Sequence, residues 1–129
     1  MQDQAKRWAL RKKKIYERWH DKECRAIINA YDWEETRELA LKRFSGPSMD
    51  WLEMVVQCRV NPGVRHDYDI VVGNIANDNV GETVSYVVQG IMRKEDAVKR
   101  LKFEKINNQI AFCSERGLQC LTFITSYEC

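Results

Sequence analysis

The stretch that decides the fold runs from Tyr68 to Gly90, YDIVVGNIANDNVGETVSYVVQG. Ile70-Val71-Val72 is a continuous β-branched run, which predicts a strand over 68–75 buried on both faces. The strand empties into Asn74, Asn77, Asp78 and Asn79. Asn79 with Glu82 three residues on has the form of a capping box, so a helix should follow through Val84, Val87 and Val88. Gly90 suits a left-handed cap at its end. A polar loop between the carboxyl end of a strand and a helix start is a common binding place. The same residue types also serve as turn and cap residues, which is the favoured reading of Asn77 and Asp78.

Before this stretch, SGPSMDWLEMVVQCRVNPG (45–63) predicts a helix. Ser48 is its N-cap, Trp51, Leu52, Val55 and Val56 form the buried stripe, and Asn61-Pro62-Gly63 stops it. EETRELALKRF (34–44) has a composition that favours helix, but Leu39, Leu41 and Phe44 form no clean stripe. CRAIINAYDW (24–33) is short and partly β-branched, hence a strand. Residues 3–19 repeat Ala5, Trp8, Ala9, Ile15, Tyr16 and Trp19 at helical spacings.

After Gly90, KEDAVKRLK (94–102) predicts a short polar helix, NQIAFC (108–113) a strand, SERGLQC (114–120) a helical turn and LTFITSYE (121–128) a closing strand. With no repeat or linker, residues 1–129 are expected to form a single mixed α+β domain.

Composition excludes several function classes. A chain of 129 residues with 44% apolar and 31% charged residues is an ordinary globular one. It should bury roughly two thirds of its unfolded surface. The net charge of +2 is too small to demand a polyanionic partner. It is uneven, however: Lys6, Arg7, Arg11, Lys12, Lys13 and Lys14 face Asp3 alone, and the rest has 15 basic against 18 acidic residues. The basic segment reads first as a solvated helix face and second as a weak nucleic-acid contact. Five cysteines at irregular spacing and two histidines argue against a disulfide scaffold and a structural zinc. With no apolar span or secretory leader, the expectation is a reduced cytoplasmic protein that needs no metal and no membrane.

Few side chains propose chemistry. His66-Asp67 and Asp69 lie on an extended segment whose neighbours alternate sides, so they read as a surface loop. Ser114 and Glu115 have no nearby histidine to form a triad. GNIANDNVG has glycines eight apart and fits no phosphate-binding fingerprint. In INNQIAFCSE (106–115), Gln109, Ala111 and Cys113 should share one face, with Ile110 and Phe112 anchoring the core from the other. Gln109 then projects beside small neighbours. The residues alone leave it open between a strand-end amide and a site residue.

Taken together, WLEMVVQCR (51–59), the stretch 68–90 and KEDAVKRLKFEKINNQIAFCSERGLQCLTFI (94–124) resemble a bacterial family of uncharacterised proteins placed in the ADP-ribosyltransferase superfamily. The resemblance extends from about Asp3 to Tyr127 and is specific from Trp51 onward. It implies a split, strongly bent β-sheet with peripheral helices. It also implies NAD as substrate, cleaved at its nicotinamide–ribose bond, and a toxin-type protein with a small antitoxin-like partner. Gln109 in NNQIAF matches the late-strand Glu or Gln that hydrogen-bonds the ribose 2′-hydroxyl, with Asn108, Asn77, Asp78 and Glu115 as substrate-binding candidates.

The sequence departs from the family at the front, with no His-Gly pair and no Gly-Phe-Tyr. On the resemblance, the first two strands and the residues that fix and stack NAD are missing from it. The expectation is therefore an impaired, truncated form of the fold, with an exposed sheet edge that invites a homodimer. A non-enzymatic binding domain is the rival expectation.

Overall fold

The computed structural model describes residues 2–63, 66–74, 78–103 and 107–129. The chain is α+β and divides into two compact units: Arg37–Gly117, and Met1–Thr36 with Leu118–Cys129.

In the Arg37–Gly117 unit, β2 (Leu41–Arg43) pairs parallel to β3 (Ile70–Asn74), which pairs antiparallel to β4 (Asn108–Phe112). The strand order β2-β3-β4 makes β3 central. Its β-branched run explains the position, although only Ile70 and Gly73 are buried; Val71 and Val72 are half-buried. Segment 34–44 turns and then enters β2, against its helical composition. Three residues of strand are enough there because β3 supplies a ready ladder, so pairing outweighs intrinsic propensity.

Three helices complete this unit: α2 (Met49–Val60), α3 (Asp78–Val88) and α4 (Lys94–Leu101). Ser48 caps α2, its Oγ accepting from Trp51 N at 3.3 Å. Trp51 and Leu52 of α2, Val80 and Val84 of α3, and Ala97 and Leu101 of α4 form the core, with Phe44, Val55 and Val56 packed against it. Asn79 and Glu82 do not form the expected capping box. The helix has already begun at Asp78, so Asn79 lies in its first turn, where its carbonyl accepts from Thr83 Oγ1 at 3.4 Å. Glu82 instead accepts a hydrogen bond from Tyr86 Oη. Gly90 adopts φ +74°, the left-handed conformation that glycine tolerates best.

The other unit contains α1 (Gln2–His20), β1 (Ile27–Trp33) and β5 (Leu121–Glu128). β1 and β5 form an antiparallel two-stranded ribbon with an irregularity between Ala30 and Tyr31. A short helix, α5 (Glu115–Leu118), precedes β5. No helix among the described residues is long and apolar enough to cross a membrane.

Candidate functional site: a groove beside β4

The β3–β4 register places Gln109 opposite Gly73 and Ala111 opposite Val71. Side chains alternate across a strand, so Gln109, Ala111, Val71 and Gly73 belong to one face of the sheet. That face borders a groove of about 420 Å³ whose opposite wall is α2, contributed by Trp51, Met54, Cys58 and Arg59. Gly73 forms the floor. A Cβ there would lie 3.3 Å from Trp51 Cδ1 and 3.4 Å from Phe44 Cδ2, so the Trp51 ring would have to give by a few tenths of an ångström. Gln109 is exposed at the mouth.

The helical cluster lies on the Gln109 side of the sheet. Ile110 and Phe112 are half-buried on the opposite face, which they share with the fully buried Ile70, outside that cluster. The parity read from the sequence holds, but a strand's alternation does not say which side the helices cover.

Amides and a tryptophan fix the carboxyl end of β3. Trp51 Nε1 donates to Asn74 O at 3.1 Å, and Asn74 Nδ2 donates to Asn108 Oδ1 at 3.3 Å. Asn74 Oδ1 is buried with no hydrogen-bond partner among the described residues. An unmet buried acceptor costs about 1–3 kcal/mol, and a bound water or ligand donor is the usual remedy. Asn108 is thus tied into the strand end next to Gln109. Asn77 lies outside the described residues, and of Asp78 only its place at the start of α3 is described. Glu115 is exposed in the first turn of α5 and does not line the groove.

His66 lines the groove, with its Nδ1 accepting from Tyr68 N at 3.2 Å. In the neutral ring this leaves Nε2–H as the donor. Cys113 lines it too, but burial of its sulfur, with Cys58 and Asp69 nearby, pushes the thiol pKa up. Among the described residues no cluster of three or more His, Cys, Asp or Glu is placed to hold a metal.

Sequence reasoning misread Asp69. It is not a surface-loop residue but is buried, and its carboxylate is the hub on which the sheet is assembled. Oδ1 accepts from Ser114 Oγ at 2.6 Å and Oδ2 from Ala40 N at 2.9 Å. Its carbonyl accepts from Cys113 N at 2.7 Å. Ser114 in turn accepts from Gly117 N at 3.0 Å, so its hydroxyl is a structural link. These contacts hold Asp69 below the usual carboxylate range. The hydrogen bond from Ser114 contributes most, then that from Ala40; burial opposes them, and the charge of Arg116 assists. Asp69 and Ser114 are 45 residues apart, so no local pattern signals the pair.

The chain belongs to the family described as "protein of unknown function (DUF3990)", which matches residues 1–123. No curated protein and no solved structure matches it.

Proposed function

We propose that this member of the DUF3990 family is an ADP-ribosyltransferase-like protein that binds NAD in the groove beside β4 and cleaves it slowly. The observation that carries this reading is Gln109. It is exposed at the mouth of a groove whose floor is kept open by Gly73 and Ala111. An α+β make-up with strands in two separate sheets also supports it. The cation of Arg59 and the ring of His66 suit a diphosphate, and Phe44 and Met54 offer apolar surface to a ring.

In this reading Gln109 hydrogen-bonds the ribose 2′-hydroxyl and orients the sugar. Departure of nicotinamide leaves positive charge on the ribose, which a carboxylate would stabilise and a neutral amide supports less well. None of the described residues lining the groove carries a carboxylate. Slow turnover follows.

The test is NAD consumption at about millimolar NAD, the upper end of ordinary KM values. Turnover by the chain that falls about 10²-fold or more in Gln109→Ala supports the reading, that being the scale of losing a polar group that stabilises a transition state. Gln109→Glu should raise the rate. No NAD binding by calorimetry, or turnover indifferent to both substitutions, overturns it.

A second reading, a non-enzymatic protein-binding domain, is favoured by the apolar surface of the smaller unit, where Trp19, Tyr31, Phe123 and Ile124 are all about half exposed or more.

A further inference from the structure

The smaller unit holds an open sheet edge inside a groove. Among the described residues β1 is paired with β5 alone. Cys129 N donates to Ala26 O at 2.9 Å, and Ile28 stands opposite Tyr127 in the same register. Peptide groups alternate along an antiparallel pair, so Ala26 and Ile28 turn theirs toward β5, while Ile27 and Asn29 turn theirs away. Residues 24–29 line a groove of about 600 Å³ in unbroken succession, both strand faces together. That is how a strand looks when met along its edge rather than across one side.

The other wall is α1, which contributes Trp8, Lys12, Lys13 and Tyr16. Lys12, Lys13 and Arg25 give the groove three cations, and none of its lining residues is acidic. Lys13 is 3.4 Å from Glu17 and Arg25 only 4.0 Å from Glu128, while Lys12 Nζ lies over the Trp8 ring at 4.9 Å. The floor is apolar, with Ala26 and Ile28 buried.

We propose that this groove docks an extended acidic segment of another protein, which adds as a strand to the outer edge of β1. Its backbone meets the outward peptide groups of Ile27 and Asn29. Alternate apolar side chains pack against Trp8 and Ile28, and carboxylates meet Lys12 and Arg25. Charge complementarity selects an acidic occupant, because the groove presents Lys12, Lys13 and Arg25 with no acidic side chain among its described lining residues. The site is independent of the groove beside β4.

The probe is a fluorescent peptide of about ten residues, long enough for one strand, alternating valine and glutamate. Binding to the full chain is followed by anisotropy, together with amide exchange at Ile27 and Asn29. The expected result is saturable binding that slows exchange at both amides and disappears when alternate peptide nitrogens are methylated. Binding should weaken about tenfold in Lys12→Glu, an exposed helix position that leaves folding intact. Failure to bind at about 1 mM, the weak end of measurable affinity, overturns the proposal. So does equal binding of a valine–lysine peptide, or binding that survives methylation. If sedimentation shows a dimer whose Ile27 and Asn29 amides are protected before peptide is added, the edge belongs to a second copy instead.

Discussion

In the larger unit three helices bury Trp51, Leu52, Val80, Val84, Ala97 and Leu101 against one another. In the smaller unit the buried hydrophobic residues among those described are Ala26 and Ile28, and the 19-residue α1 buries none. One unit is held by side-chain packing, the other chiefly by the ladder between β1 and β5. The difference implies where substitutions should be costly. It is a difference of core and not of surface, because Phe103, Ile91 and Val60 of the larger unit are about as exposed as Trp19, Phe123 and Ile124 of the smaller one, or more so.

The sharpest test of this contrast is Leu52→Ala. Leu52 is fully buried among three helices, and truncating it should cost about 2–5 kcal/mol in urea unfolding, from lost burial plus the cavity left behind. A cost below about 1 kcal/mol would mean the helices close over the gap, and the contrast between the units would fail. Next comes Gly117→Ala. The added Cβ would sit 2.6 Å from the carbonyl oxygen of Asp69, a backbone atom that cannot swing aside. The expected loss is about 1–3 kcal/mol, typical of overpacking. A neutral result would show that α5 is not held against the Asp69 hub.

The hub also makes the larger unit acid-sensitive. Asp69 has a lowered pKa in the folded chain, so the unfolded chain takes up its proton more readily. Its stabilising contribution is complete above the ordinary carboxylate pKa and is lost as pH falls through the lower folded value. Urea midpoints measured from neutral pH down to about pH 3, below the ordinary Asp value, should fall more steeply in the parent than in Asp69→Asn, which has no proton to take up there. Parallel curves would mean that the carboxylate is not the group that titrates.

Much of the fold was legible because its strongest signals are local. Ile70-Val71-Val72 dictates β3, Ser48 before Trp51-Leu52 dictates α2, and Gly90 marks its own turn by its positive φ. What escaped was decided at long range. The strand at 41–43 exists because β3 lies beside it, and Asp69 is structural because Ser114 and Ala40 come to it from other elements. The candidate site divides in the same way. The face that Gln109 shares with Ala111 follows from strand parity. That the face fronts a groove depends on Gly73 and on α2, which parity cannot see. Asn108 neighbours Gln109 on β4, whereas Glu115 lies beyond the end of β4 and in a helix.

The smallest expected effect lies in the ribbon. Tyr31 and Phe123 are direct cross-strand partners, with ring centroids 5.6 Å apart and planes at 71°. Both are about half exposed, so Tyr31→Ala removes an edge-to-face contact and little burial. The cost should be about 0.5–1.5 kcal/mol. If the ribbon depends on its ladder rather than on a core, that cost should appear as faster amide exchange along β1 and β5, with α2 unchanged. Equal acceleration in α2 would mean that ribbon and helices unfold as one cooperative body. The difference in packing would then describe how each unit is built without dividing how the protein is stabilised.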